Sequence, residues 1–342
     1  MVFVRSLIIA FLFGIYAIAG ARAQEFVPLV ENIDASFRGM ATHGNRTVWV
    51  SGSKGTVGYS TDQGQQWTWV NPPGYETFDF RDIELFSAKE AVIMSAGSPA
   101  VILRTTDAGR SWTEVFRDSR PEIFLNALAF DGRLGYALGD PIDGYFQLLR
   151  STDKGKTWQN ISHEMLLFAD EGEVAFAASG SSIQLLKNVL YIGTGGKYSS
   201  FFAYNPKGRR VDKYDCPILS KSNSAGIFAI DFWDSQFGVV VGGDYTQDQV
   251  NSNNVLLTQD AGVSWQRPQS PLSGYKSDVQ FINRRQLLAT GTSGTDISHD
   301  TGQNWQKLSD NSFNVLAKSK DGKVIYLAGS AGNVFRLLLD TD

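Results

Sequence analysis

Five copies of one short motif recur along the chain, and this repetition constrains the fold more than any other feature of the sequence. Each copy has a hydroxyl residue, an aspartate two positions later, a glycine after two more and a tryptophan after three more. The copies begin at Ser60, Thr105, Ser151, Thr258 and Ser298. Their aspartates and tryptophans are Asp62 and Trp67, Asp107 and Trp112, Asp153 and Trp158, Asp260 and Trp265, and Asp300 and Trp305.

The spacing of the copies implies further repeat units. The interval between the third and fourth copies is more than twice the usual period of about 45 residues. The segment AYNPKGRRV at 203–211 fits a degenerate copy, because it keeps Gly208 but has lost the aspartate and the tryptophan. A strand-like run ending in glycine precedes each turn, and such runs begin near residues 48, 92, 135, 189, 238, 286 and 324. The chain therefore contains seven units.

Each unit has the composition of strands and tight turns. Short runs rich in Val, Ile, Phe, Tyr and Trp are bounded by Gly, Asp, Asn and Ser, and helical periodicity is confined to a turn or two. About four strands per unit predict an all-β, seven-bladed β-propeller with four-stranded antiparallel blades, spanning residues 24–342 as one domain. The last unit lacks an outer strand, and residues 25–30, EFVPLV, resemble one. We therefore predict that the N-terminal strand closes the ring.

The first 23 residues have the pattern of an export signal. Arg5 precedes an apolar run at 7–20, and Ala21-Arg22-Ala23 has the small-x-small form that signal peptidases accept. We expect cleavage after residue 23 and a mature protein in the periplasm or outside the cell. An uncleaved anchor is the alternative, although the apolar run is short for a bilayer span.

Charge and cysteine content exclude several classes of function. The net charge is −4, and it becomes more negative when the two leader arginines are removed, which argues against a nucleic-acid partner. Cys216 is the only cysteine, so the chain has no internal disulfide framework and no zinc site built on several cysteines.

The repeated motif has the chemistry of a structural turn. The aspartate can accept backbone N–H groups, the glycine can adopt a positive φ, and the tryptophan can cover the turn. The alternative is five carboxylate sites for calcium or a sugar. A catalytic site requires different residues converging on one pocket, whereas these motifs recur on separate blades. We therefore expect a structural role, no catalytic residue, no cofactor and no metal site.

The motif resembles the Asp-box, or BNR repeat, of the sialidase-like propellers. Sialidases themselves have six blades and a Phe-Arg-Ile-Pro signature, of which Phe37-Arg38-Gly39-Met40 keeps only the first two residues. A closer match covers nearly the whole mature chain. The segments FRGM, VWVSGSKGTV, YSTDQGQQW, FDFRDIE and GDPIDGYFQLLRSTDKGKTW are similar to the photosystem II stability/assembly factor family and its relatives in non-photosynthetic bacteria. The resemblance implies an exported, non-catalytic assembly factor that holds a membrane-protein intermediate against an arginine-lined face.

The residues that differ between blades indicate where a partner binds. Aligning the innermost strands places Arg38, Arg81, Asn126, Phe228, Ser277 and Asn314 at one level of a channel mouth, and the fourth blade aligns less clearly, around 177–180. Two arginines on adjacent blades can grip a carboxylate, a phosphate or an acidic peptide. Alternatively, each arginine pairs with a local acid such as Asp82 or Glu84. Long insertions add three further candidates, which are Asp140, Asp244 and Tyr245.

Two classes of function fit these residues. The first is a monomeric scaffold that binds a protein partner through the arginine-containing mouth. The second is a glycan-binding or glycan-cleaving propeller, in which Asp140 and Asp244 would act as acid and base if they converge beside a deep pocket. The three histidines fall at unrelated positions in the repeat, so neither a catalytic triad nor a histidine metal cluster is expected.

Overall fold

The structure is a computed structural model that describes residues 25–208 and 210–339. The described strands form seven antiparallel sheets in a ring, and the fold is an all-β, seven-bladed propeller as predicted. The predicted export signal lies outside the described residues. Among the described residues, no helix is long and apolar enough to cross a membrane.

The strands are numbered in chain order. The N-terminal strand is β1 (Phe26–Val30). Blade one contains β2 (Phe37–His43), β3 (Thr47–Gly52), β4 (Val57–Ser60) and β5 (Thr68–Trp69). Blade two contains β6 (Asp79–Leu85), β7 (Ala91–Ala96), β8 (Ala100–Thr105) and β9 (Thr113–Asp118). Blade three contains β10 (Leu125–Asp131), β11 (Leu134–Ile142), β12 (Tyr145–Ser151) and β13 (Gln159–Asn160), followed by the short helix α1 (Ser162–Met165).

The remaining blades follow the same order with one interruption. Blade four contains β15 (Ile183–Leu186), β16 (Val189–Gly193), β18 (Ser200–Asn205) and β19 (Arg210–Asp215). Blade five contains β20 (Ala225–Phe232), β21 (Gly238–Asp244) and β22 (Val255–Thr258), and its sheet also takes in β14 (Glu173–Val174) and β17 (Gly195–Gly196). Blade six contains β23 (Asp278–Phe281), β24 (Leu287–Gly291), β25 (Gly294–Ser298) and β26 (Gln306–Ser309). Blade seven contains β27 (Val315–Lys318), β28 (Val324–Ala328) and β29 (Val334–Leu338).

The N-terminal strand closes the ring, which confirms the prediction from the incomplete last repeat. Strand β1 pairs antiparallel with β29 as the outer strand of blade seven, with Phe26 opposite Leu337. The Phe26 ring also stacks on Phe313 at a centroid distance of 6.0 Å. The two ends of the described chain are therefore held in one sheet, and no blade is left with an unpaired third strand at the closure.

The five repeated motifs form the same turn after the third strand of their blades. In the first copy, the Ser60 hydroxyl donates to Asp62 at 2.7 Å and accepts the Gly64 N–H at 2.8 Å. The Asp62 carboxylate also accepts the Gln66 N–H at 3.0 Å. The other four copies repeat these three bonds. The motif therefore satisfies its turn with its own side chains.

Each motif glycine also touches the preceding blade. A methyl group on Gly109 would lie 2.7 Å from Cβ of Val70 in blade one, and one on Gly155 would lie 2.8 Å from Cγ1 of Val92 in blade two. The glycines of the other three copies meet side chains of the preceding blade in the same way. The turns thus act as joints between blades, because only a residue without Cβ allows this close approach.

Hydrophobic clusters fill the spaces between neighbouring blades. Trp49 and Val57 of blade one, for example, pack with Ile83 and Ile93 of blade two, and all four side chains are buried. Such sheet-on-sheet contacts hold the blades face to face and leave the innermost strands around a central channel.

Candidate functional site

Four of the aligned residues at the channel mouth sit on β-bulges of the innermost strands. The pairing register shifts at Arg38 in blade one, at Arg81 in blade two, at Asn126 in blade three and at Phe228 in blade five. A bulge leaves one residue out of the ladder and re-aims its side chain. The repeated bulge therefore explains why residues at this position leave the blade packing and face the channel end.

Arg38 and Arg81 line one cavity of about 410 Å³ at this mouth, which we call the arginine cavity. Its other lining residues are Phe124, Asp140, residues 174–178, Phe228, Tyr245, Tyr275, Thr292, Asn314 and Ser330. Arg81 forms an ion pair with Asp79 at 2.7 Å. Among the described residues, Arg38 has no carboxylate within ion-pair distance, and its one hydrogen bond goes to the Ala178 carbonyl at 3.3 Å.

The two arginines act on each other electrostatically. Burial, and then the positive charge of Arg81, lower the pKa of Arg38. An arginine stays protonated at any physiological pH. The lowered pKa therefore means that the positive charge of Arg38 is poorly stabilised by its surroundings. An anion entering the cavity would relieve that cost.

The alternative that each arginine pairs with a local acid holds for Arg81, although its partner is Asp79 and not Asp82 or Glu84. It does not hold for Arg38, which has no ion pair among the described residues. Asp82 is buried and accepts the backbone N–H groups of Ile83 and Leu128, so it links blade two to blade three. Glu84 lines the opposite end of the channel. Side chains alternate between the two faces of a strand, so Asp82 and Glu84 lie on the same face. The bulge takes Arg81 out of this alternation, and its side chain therefore lies at a different end of the channel from the two acids.

A segment ahead of blade four, residues 174–182, lies across the channel; we call it the central segment. Arg81 donates to the Ala177 carbonyl at 3.3 Å from blade two, and Asn126 donates to the Ala175 carbonyl at 3.2 Å from blade three. On the far side, Ser179 donates to the Ser277 carbonyl of blade six at 2.7 Å. Residues 174–178 line the arginine cavity, while residues 179–181 line the cavity at the other end. The central segment is therefore a floor between two cavities.

Aromatic residues form one wall of the arginine cavity. Phe176 of the central segment stacks on Phe228 with ring centroids 3.8 Å apart, and Tyr275 meets Phe228 edge-on at 4.7 Å. Tyr245 covers this cluster and is 52% exposed. Phe124, which precedes the first strand of blade three, lies next to Arg81, whose guanidinium carbon is 5.9 Å from its ring centroid. The cavity thus combines positive charge with exposed aromatic surface.

The structure brings together only some of the residues singled out in the sequence. Asp140, Tyr245 and Asn314 line the arginine cavity with the two arginines, whereas Asn126 and Ser277 are buried beneath it. Asp140 accepts the Ala175 N–H at 3.1 Å, and its burial raises its pKa to about 6. Asp140 is the one carboxylate among the described residues that line this cavity.

Asp244 does not join the arginine cavity. It lines a separate, smaller cavity and is bonded to Ser222 and Thr246. The proposed acid–base pair of Asp140 and Asp244 therefore faces two different cavities. The reason is that Asp244 ends strand β21, whose turn folds back onto its carboxylate, while Asp140 lies within the long hairpin of β11 and β12.

The opposite end of the channel holds a second cavity, of about 440 Å³, which we call the acidic cavity. Asp82, Glu84, Asp231 and Asp278 line it together with Lys318. Burial raises the pKa of Asp82 to about 8, of Asp278 to about 7 and of Asp231 to about 6. Each of these three accepts a backbone N–H from the next blade, namely Leu128, Leu316 and Phe281. They are structural links between blades, and the described residues contain no group of three or more side chains suited to a metal ion.

Sequence reasoning missed the aromatic wall and the central segment. Phe124, Phe176 and Tyr275 were not among the candidates, because each falls outside the aligned strand positions. The signal for the central segment was present in the poor alignment of the fourth repeat around 177–180, where a run of small residues, AFAASGSS, replaces a strand.

Comparison with known proteins identifies the fold. No protein-family model matches the chain, and no curated protein sequence matches it. Among solved structures, the chain is similar to YCF48 bound to a D1 peptide, with a TM-score of 0.65 and 17% identity over 94% of this chain and 96% of the other. It is also similar to YCF48 from Cyanidioschyzon merolae, with a TM-score of 0.66 and 15% identity over 92% and 98% of the two chains.

Propellers of other kinds match almost as well. The WD40 β-propeller domain of Doa1 has a TM-score of 0.64 and 11% identity over 93% of this chain and 98% of its own. At these identities, the likeness shows a shared fold, and the evidence for function has to come from the site.

Proposed function

We propose that the protein is an exported, monomeric, non-catalytic β-propeller that binds a protein partner in the arginine cavity and serves as an assembly factor for a membrane protein. The observation that carries the proposal is the pair of arginines on bulges of adjacent blades, which line one cavity. Of the two, Arg81 alone has an ion pair among the described residues, with Asp79. Guanidinium groups held in this way suit a carboxylate-bearing partner. The cavity is preformed, because the central segment fixes its floor.

The comparisons support a peptide-like partner without identifying it. One similar structure is described as YCF48 bound to a D1 peptide, so a propeller of related shape carries a peptide ligand. We also propose that the five repeated turns are Asp boxes of the BNR type, on the strength of their shared motif and hydrogen bonds. A glycan-cleaving role has no support from the arginine cavity, because Asp140 is the one carboxylate among its described lining residues.

Affinity capture from a detergent extract of the native cells tests the proposal. The wild-type protein and the Arg38→Ala/Arg81→Ala double variant serve as baits. We expect the double variant to lose a partner by at least about tenfold, since each charge-assisted pair contributes about 1.5–3 kcal/mol. Arg133→Ala/Arg284→Ala is the matched control, because both residues are exposed in turns at the far ends of innermost strands. A partner retained equally by all three baits would refute the arginine cavity as its binding site.

A further inference from the structure

The arginine cavity has two chemically different parts, and their arrangement restricts the kind of segment that fits. Arg38 and Arg81 supply the positive part, while Phe124, Tyr245 and Tyr275 supply apolar and aromatic surface. Binding sites commonly use large apolar surface for affinity and a few polar groups for orientation. The relative position of the two parts therefore carries the inference.

The two arginines have N–H donors left for hydrogen bonds to a ligand. Among the described residues, Arg38 makes one long hydrogen bond, to the Ala178 carbonyl, and has no ion pair. Arg81 uses Nε on Asp79 and Nη1 on the Ala177 carbonyl. A guanidinium has five N–H donors, so the pair can still take a carboxylate from outside.

The apolar part comes from blades on both sides of blades one and two, which carry the arginines: Phe124 precedes the first strand of blade three, while Tyr245 and Tyr275 belong to blades five and six. Phe124 lies beside Arg81, with 5.9 Å between the guanidinium carbon and the ring centroid. In blades five and six, the ring centroids of Tyr245 and Tyr275 are 6.5 Å apart, and both rings contact Phe228 edge-on. Tyr245 is 52% exposed, so its ring offers surface that a bound apolar side chain would cover. A segment whose carboxylate reaches the arginines meets aromatic surface in both directions along its chain.

We propose that the arginine cavity recognises an internal acidic residue flanked by aromatic residues in an extended segment of the protein partner. This inference rests on the proposed function and gives its partner a chemical class. An internal residue is required because apolar surface on two sides of the arginines needs chain on both sides of the carboxylate. Tyrosine and arginine are also the residue types that dominate binding energy at protein interfaces.

Four fluorescein-labelled twelve-residue peptides with Gly-Ser flanks test the proposal by fluorescence anisotropy. The first three have amidated C-termini and the central triplets Phe-Asp-Phe, Gly-Asp-Gly and Phe-Asn-Phe, whereas the fourth peptide ends in Phe with a free carboxylate. We expect wild-type protein to bind Phe-Asp-Phe at least about tenfold more tightly than each of the others, because burying a phenyl ring or pairing a carboxylate changes affinity by about that factor. A salt titration is expected to weaken Phe-Asp-Phe but not Phe-Asn-Phe.

Variants at exposed tyrosines locate the aromatic contact. Tyr245→Ala is expected to reduce the preference for Phe-Asp-Phe over Gly-Asp-Gly to less than about threefold, and Tyr245→Phe is expected to keep it. Tyr198→Ala is the control, because Tyr198 is 54% exposed but does not line the cavity.

Each contrary result overturns a defined part of the inference. Equal affinity for Phe-Asp-Phe and Gly-Asp-Gly, or no binding of any peptide, would overturn the aromatic part; tightest binding of the free terminal carboxylate would overturn the internal residue. These results differ from failure of the proposed function, because the capture experiment can still show a partner that depends on Arg38 and Arg81. If that dependence is also absent, both proposals fail.

Discussion

At the level of single residues, the repeated motif places two consecutive residues in the left-handed region of backbone conformation. In the second copy, Ala108 has φ of 62° and Gly109 has φ of 76°. The motif predicts a positive φ at its glycine. It does not predict one at the residue before the glycine, because that position is Gln, Ala, Lys, Ala and Thr in the five copies. The hydroxyl and carboxylate of the motif stabilise this conformation by accepting the backbone N–H groups that the turn exposes.

A pair of glycine substitutions separates backbone strain from the contact between blades. Gly109→Ala adds a methyl group 2.7 Å from Cβ of Val70, whereas Gly132→Ala, at φ of 63°, adds one where nothing lies within 4 Å. Both variants place an alanine in the left-handed region, which lowers the unfolding free energy by about 1–2 kcal/mol. Gly109→Ala is expected to lose a further ~1–3 kcal/mol of unfolding free energy through overpacking, which urea denaturation would measure. Equal losses in the two variants would mean that the motif glycine is not a joint between blades.

At the level of secondary-structure elements, the sequence was informative wherever the repeat is regular. The seven glycine-ended runs predict the second strands of the blades, and the incomplete last unit predicts the closing strand β1. The aligned innermost strands place Arg38 and Arg81 at equivalent bulges. Period and register are encoded locally in each unit, so a single sequence is enough to read them.

Elements that depart from the repeat were not predictable in this way. Residues 174–182 have the composition of a loop, and the contacts that hold them across the channel come from blades one, two, three and six. The insertion GDPIDGYF at 139–146 extends β11 and β12 into a hairpin with a turn at Asp143 and Gly144. Both cases depend on long-range packing, which a linear pattern does not contain.

At the level of the whole molecule, the buried carboxylates around the channel couple stability to pH. Burial raises the folded-state pKa of Asp82, Asp278 and Asp231 to about 8, 7 and 6. Between about pH 4 and pH 8, the folded protein therefore binds more protons than the unfolded chain, and the unfolding free energy falls as pH rises. The motif aspartates have lowered pKa values, chiefly through their turn hydrogen bonds in copies such as Asp62, so stability also falls below about pH 4.

The thermal unfolding midpoint is accordingly expected to be higher at pH 5 than at pH 8. Asp82→Asn is expected to reduce the fall between pH 6 and pH 9, because it removes one of the buried carboxylates that titrate there. The slope can be compared whatever the variant's absolute stability. Asp131→Asn, at an exposed position, is the control and is expected to keep the wild-type slope. A midpoint that rises from pH 5 to pH 8 in the wild type would contradict this account.

Site-specific photo-crosslinking in the native cells tests most directly whether the arginine cavity is where the partner binds. A photoreactive phenylalanine analogue at Thr292, which lines the cavity, is compared with one at Arg284, an exposed residue in the turn between β23 and β24. We predict a protein adduct from Thr292 that disappears when Arg38 and Arg81 are both replaced by alanine, and none from Arg284. An adduct from Arg284 alone, or one from Thr292 that survives loss of both arginines, would contradict the central claim.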